Sequence, residues 1–401
     1  MDKLIQTRGC CSTFEKLKTV VRAFLRFSQV LQHSVNSKHG KPFGISLLKA
    51  YYFLPFSRKT SVFSHCCFLK KERGDVKCIA PVDSFSDCDR MIKSKALRYI
   101  VWIVFVCICS GNLIAFILRI AYEDKSYIQN TLIHNLHLGD FLMGMFVAVV
   151  VTRDLLWSGY YYLHDNDWRS SIVCKSFGAI AVISSEVCVL TLAVITYDRR
   201  AKLVRVDYDP MKRRTVWLII SLIWLISSTI AVVPAVVKTY FYDEEKAEGY
   251  YGTNGLCLPL QLPGEKDPAW EYCLAVFGIL NFLVACYMCW AYCTIFYAFY
   301  VSVRASENTK GMEEERKTAM KFCSIVFTDI LCWFPIAILI YSSLAGIVND
   351  EENMLYAWFS ICVATINSAI NPLLYTITTP LFWPKFKGWF ENISRCCGQC
   401  K

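Results

Sequence analysis

The chain has 401 residues, of which 55% are hydrophobic, 15% aromatic and only 19% charged, with a mean hydropathy of +0.36. A soluble domain of this length cannot bury that much apolar surface, so the composition excludes an ordinary soluble enzyme or binding module and points to the membrane. The formal net charge of +10 invites a nucleic-acid reading, yet residues 1–98 hold 19 Lys and Arg against 7 Asp and Glu while the rest holds 24 against 26, so the basicity belongs to the N-terminal segment and no nucleic-acid partner is expected.

In chain order, residues 1–60 form that basic segment. Phe14, Leu17, Val21, Phe24, Leu25 and Leu31 recur there at roughly helical spacing among Lys16, Lys18, Arg22 and Arg26, a weak amphipathic pattern. No apolar run of signal-peptide type precedes it, so insertion is expected to rely on the first span as a signal anchor, and the segment reads as the remnant of a truncated ectodomain. Residues 61–95 carry Cys66, Cys67, Cys78 and Cys88.

Seven stretches follow that are long and apolar enough to cross about 30 Å of hydrocarbon. They lie near 96–121, 127–152, 172–200, 215–237, 270–302, 316–346 and 354–378, giving a transmembrane region over 96–378. The connection after the third, "DRRAKLVRVDYDPMKRRT", is crowded with Arg199, Arg200, Lys202, Arg205, Lys212, Arg213 and Arg214 and is expected in the cytoplasm. Loops on the other side carry Asp243, Glu244, Glu245, Asp350, Glu351 and Glu352, so the N-terminus is expected outside. Residues 379–401 contain "PLFWPKFKGWFENI", an amphipathic stretch expected on the inner leaflet lipid, then Cys396, Cys397 and Cys400 as palmitoylation candidates. The predicted fold is an all-α membrane protein, a seven-transmembrane helical bundle with a short amphipathic eighth helix.

Ionisable groups inside the spans carry the functional signal. Asp140, in "IHNLHLGDFLMG", costs about 3 kcal/mol to insert unless it faces the bundle and finds polar partners. Asn112 in span one and Asn367, Ser368 and Asn371 in span seven offer them. A metal site of His134, His137 and Asp140 is the rival reading, but rotation of about 100° per residue sets His134 and Asp140 about 120° apart. Asp329 and Glu186 are further buried acids, and Asp329 is expected to bond Asn371. Pro335, close to Trp333, removes a helical hydrogen bond and predicts a kink in span six.

The spans also carry ordered motifs: Gly111-Asn112, Asn135-Leu136 with Asp140, Cys174 to "TYDRRAK", Trp224, "FTDILCWFPIAIL" and "INSAINPLLYTITT". Together these resemble rhodopsin-like G-protein-coupled receptors. "SSEVCVLTLAVITYDRR", "GYYGTNGLCLPL", "IVFTDILCWFPI", a fifth span without proline, "SHCC" and "CIAPVDSFSDCDRMIKSKALRYIVW" look like the leucine-rich-repeat-containing group, most closely the relaxin-family peptide receptors. The family's large repeat ectodomain is represented here at most by Ile45 to Phe53, and one repeat cannot bury its own apolar face.

The resemblance implies a plasma-membrane receptor, not an enzyme, with a heterotrimeric G protein and a peptide hormone as partners. It implies a switch at Asp198, Arg199, Glu315, Asp329, Trp333, Pro335, Asn371, Pro372 and Tyr375, with Arg199 held by acids when off. At Asp140, Asn112, Asn367, Ser368 and Asn371 it implies a polar hub that holds a sodium ion or a water cluster, with Cys188 where a hydroxyl often stands. It further implies a disulfide between Cys174 and Cys257, and hinge disulfides among Cys66, Cys67, Cys78 and Cys88, of which Cys66 with Cys78 and Cys67 with Cys88 is one of three pairings. Arg200 replaces the usual aromatic residue. The competing readings are an orphan receptor of the same class for a small ligand and a non-signalling receptor fragment. A retinal-binding opsin lacks its lysine, since none occurs between Lys321 and Lys385, and no internal repetition favours a transporter.

Overall fold

The computed structural model describes residues 62–73, 85–121, 127–204, 209–243, 248–259, 269–304, 310–347, 354–372 and 374. All belong to one compact unit, Ser61–Thr378. The basic segment, Ile45 to Phe53, Cys78, Tyr375, Cys396, Cys397 and Cys400 lie outside the described residues.

Seven long helices run in sequence: α1 (Lys95–Ala121), α2 (Tyr127–Leu156), α3 (Ile172–Val204), α4 (Arg213–Val236), α5 (Trp270–Cys273, continued through Leu274–Leu280 to Asn281–Arg304), α6 (Lys310–Leu344) and α7 (Met354–Pro372). Among the described residues, α1 to α6 contain stretches long and apolar enough to cross a membrane. Helix is what such sequences must adopt in lipid, because every backbone N–H and C=O has to be satisfied within the segment. α2 and α6, of 30 and 35 residues, extend past the positions expected from hydropathy. Their polar end turns, "TRDLL" and "KGMEEERK", continue the helices where a search for apolar stretches no longer sees them.

Helix α3 is the hub of the packing, in contact with α2, α4, α5 and α6. In α2 and α3, 67% of the most apolar stretch is buried, against 28% in α1, α4, α5 and α6, so the latter turn most of their apolar surface outward to lipid. Leu132, Leu136, Leu192, Ile195, Ile220, Met288, Tyr292, Phe322 and Ile325 join α2 to α6 in one core. Toward the other end, Ala179, Val182, Ala231, Phe241, Tyr250 and Tyr251 bind the loop after α4 to α3 and α4. That loop forms the strands β1 (Tyr242–Asp243) and β2 (Glu248–Gly249), antiparallel with Tyr242 opposite Gly249.

Two local departures position the site. The Leu274–Leu280 turn of α5 is π-helical, which adds a residue to the turn and re-aims the helix beyond it. Tyr341 of α6 donates to the Gly278 carbonyl there at 2.9 Å. Gly178 on α3 lies so close to the Cys257 carbonyl and the Tyr251 ring that a Cβ would collide with both. Only glycine lets the loop lie flat on α3 at this point.

Candidate functional site: a polar line through the bundle

The carboxylate of Asp140 is fully buried. Nδ2 of Asn371 donates to its two oxygens at 3.1 and 3.2 Å, Cys188 Sγ lies 3.6 Å from Oδ1, and Ser368 hydrogen-bonds to it as well. Asn112 donates to the Ser368 carbonyl at 3.2 Å, and its Oδ1 lies 2.9 Å from Nδ1 of His137. Of the five residues of the sequence-derived hub, Asn112, Asp140, Ser368 and Asn371 meet at α1, α2 and α7, whereas Asn367 belongs to a neighbouring cluster. His137 thus turns Nδ1 toward Asn112.

The expected bond between Asp329 and Asn371 does not form. Asn367 donates to Asp329 Oδ1 at 2.5 Å instead, and Trp333 also bonds that carboxylate. The cause is axial position: Asn367 and Asn371 share a face of α7 but stand about one helical turn, roughly 6 Å, apart. Asn367 is thus level with Asp329, and Asn371 is level with Asp140. Trp333 stacks on Phe277 of the π-helical turn, with centroids 6.0 Å apart and planes 6° from parallel. Just beyond that turn, Asn281 donates to Glu186 Oε1 at 3.2 Å, while Glu186 Oε2 has no hydrogen-bond partner among the described residues.

At the far end of α3, Arg199 is 3% exposed. Its guanidinium lies 3.3 Å from Asp198 Oδ2, donates to Gln129 Oε1 at 2.9 Å and sits 5.5 Å from the Phe322 ring centre. Glu315 lies in the early turns of α6, with its side chain outside the described residues. Pro335 lies inside α6, which runs on unbroken to Leu344, and Pro372 closes α7 against Gly111.

At the near end, Cys174 of α3 is disulfide-bonded to Cys257, with Cα atoms 5.4 Å apart. The loop so held covers the bundle: Leu256 and Leu258 are buried, and Leu256 lines a small apolar cavity with Val101, Phe146, Val147, Val150, Ile361 and Thr365. Tyr251 donates to the Ala231 carbonyl at 2.6 Å, and burial pushes its phenol well above the ordinary range. The hinge is fastened beside it. Cys67, on the helix Val62–Arg73, is bonded to Cys88, and Cys66 is disulfide-bonded too. Lys71 pairs with Asp89 at 3.0 Å and bonds the Gly159 carbonyl, and Tyr162 N–H donates to the Cys88 carbonyl. Asp154, 2% exposed at the end of α2, accepts from Ile92 N–H at 3.0 Å and pairs with Arg98 at 3.2 Å.

Sequence reasoning missed Asp154, Gln129, Asn281 and the bond from His137 to Asn112. An acid near the end of an apolar span was the available signal for Asp154. Nothing local marked Gln129 or Asn281.

A seven-helix membrane bundle with a buried acid at its centre, an arginine sealed at one end and a disulfide-held loop over the other is the architecture of a seven-transmembrane receptor. Residues 111–375 match the family 7 transmembrane receptor (rhodopsin family), and the chain belongs to that family. It is similar to the G-protein coupled receptor GRL101 of Lymnaea stagnalis, 33% identical over 329 residues, which are 81% of this chain and 28% of that protein. It is also similar to relaxin receptor 1 of Homo sapiens, 32% identical over 329 residues, 80% of this chain and 41% of that protein. Follicle-stimulating hormone receptor of Cairina moschata is 26% identical over 97% of this chain and 54% of its own length. The chain thus spans well under half the length of the first two. The family is one of receptors, not of enzymes.

Proposed function

We propose that this chain is the membrane part of a receptor that passes an extracellular signal, from a peptide hormone, to a heterotrimeric G protein at the plasma membrane. The observation that carries the reading is Arg199: a cation held in the bundle by Asp198 and Gln129 is a group kept from a partner, and release of those contacts would expose it at the basic end. Arg200, Lys202, Lys212, Arg213 and Arg214 cluster there, which favours a cytoplasmic position, whereas the Cys67–Cys88 and Cys174–Cys257 bonds lie at the opposite end and suit an oxidising exterior. In this reading residues 61–95 are the hinge, 96–378 the signalling bundle and 379–401 a lipid-bound helix and tail. The relaxin receptor relatives favour a peptide hormone as the signal.

The hub suits a sodium ion by its donor set. Asp140 supplies a buried carboxylate, Ser368 a hydroxyl, and Asn371 Oδ1 has no hydrogen-bond partner among the described residues. Those residues would hold the ion, which when bound would balance the buried charge.

The test is dissociation of G-protein subunits, followed by energy transfer in cells expressing the chain, for each major Gα class. A basal or hormone-driven signal with at least one class supports the reading. A chain that reaches the surface and dissociates none is an inert fragment.

A further inference from the structure

Arg200 stands where the family resemblance calls for an aromatic residue, and its side chain leaves α3 for α5. Its Nε donates to Thr294 Oγ1 at 3.0 Å, and the Thr294 hydroxyl donates in turn to the Ala291 carbonyl at 2.7 Å, which turns its lone pairs toward the arginine. The guanidinium carbon lies 4.1 Å from the centre of the Trp290 ring. Tyr287 is tilted against the same ring system, with centroids 6.1 Å apart. Trp290 and Thr294 are four residues apart on one face of α5, so Arg200 grips a full turn. A planar guanidinium can stack by its face and donate by its edge at the same time, which an ammonium cannot. Trp290 is 51% exposed, whereas Met288, Tyr292 and Ile295 of the same segment are buried in the core that holds Phe322.

We propose that Arg200 is a positioning residue for signalling: it clamps the inner half of α5 to α3 through Trp290 and Thr294, and so fixes the rotation at which Tyr292 enters the core beside the Arg199 helix. The clamp favours the conformation in which Arg199 is sealed. A cation–π contact joined to a charge-assisted hydrogen bond is enough to shift a two-state balance about fivefold to tenfold.

The inference rests on the receptor reading, and the test separates the two. Spin labels on non-natural residues at Val204 and Val301 report the α3–α5 spacing of the full chain in lipid nanodiscs. Basal nucleotide exchange on an added G protein reports output. Arg200→Gln and Trp290→Leu should each broaden the distance distribution and raise basal exchange about fivefold. Trp290→Phe, which keeps a ring under the cation, should stay near the parent, and the double variant Arg200→Gln/Trp290→Leu should do no more than Arg200→Gln alone, which already removes both contacts. Unchanged distances in both single variants, or effects that multiply in the double, overturn the clamp. If Arg200→Gln does not accumulate, Trp290→Leu against Trp290→Phe decides alone. A parent without exchange above empty discs counts against the receptor reading, and the distances still judge the clamp.

Discussion

Asp154→Asn should loosen the hinge from the bundle without breaking the fold. The native carboxylate makes two contacts of different kind: Oδ1 accepts from the Ile92 amide at 3.0 Å, and Oδ2 pairs with Arg98 at 3.2 Å. Arg98 also donates to the Ile92 carbonyl at 2.7 Å, so the acid, the arginine and one hinge residue form a closed set. Asparagine keeps an oxygen for Ile92 and removes the charge. Side chains of Asp154 and Arg98 are 2% and 19% exposed, so the pair lies between an exposed bridge and a fully buried one, and its loss should cost about 2 kcal/mol. At 1.4 kcal/mol per decade that is about a thirtyfold rise in local opening. Hydrogen exchange reads it directly, because the amides of Ile92 and Lys93 are bonded to Asp154 and to the Phe85 carbonyl. Their protection should fall about thirtyfold while that of α3 holds. Asp154→Ala should cost about 1–3 kcal/mol more by stranding the Ile92 amide. Equal protection in parent and Asp154→Asn would refute the anchor, since the Cys67–Cys88 bond would then suffice to hold the segment.

Cys257→Ser opens a link across 83 residues, worth about 4.5 kcal/mol on chain entropy, and should lower both surface labelling and the thermal midpoint. Asp140→Asn should leave surface levels near the parent while altering basal output, and should abolish any difference between sodium and a bulky organic cation in the assay buffer. Asp198→Asn removes an anion 3.3 Å from Arg199, on the order of 1 kcal/mol, and should raise basal exchange about fivefold at matched surface density. Glu315→Ala should raise it severalfold if the α6 acid shares that role, and a flat response would leave Asp198 and Gln129 as the restraint.

The bundle was legible because lipid enforces a simple rule: each span had to be apolar over about 20 residues, and basic residues had to collect at one side. Motif order then located Asp140, Asn112, Ser368 and Asn371, which do meet. What was not legible is vertical register between helices. Asp329 was paired in expectation with Asn371 because both are buried polar groups, whereas a one-turn offset on α7 gives it Asn367. The partners of Glu186 and Arg200 were hidden for the same reason, since the π-helical turn of α5 sets which of its residues face α3, and no residue in Leu274–Leu280 marks that turn locally. Asp154 was passed over as a span-end charge because its partners, Ile92 and Arg98, lie about 60 residues away in sequence.

The central claim is that the sealed Arg199 is the group through which this bundle acts on a G protein. The direct test is nucleotide exchange by purified heterotrimeric G protein on nanodiscs carrying the parent chain or Arg199→Ala, at equal receptor density and with Asp198→Asn as the raised control. The account predicts exchange above empty discs for the parent, more for Asp198→Asn, and none above background for Arg199→Ala. Exchange by Arg199→Ala equal to that of the parent would contradict it.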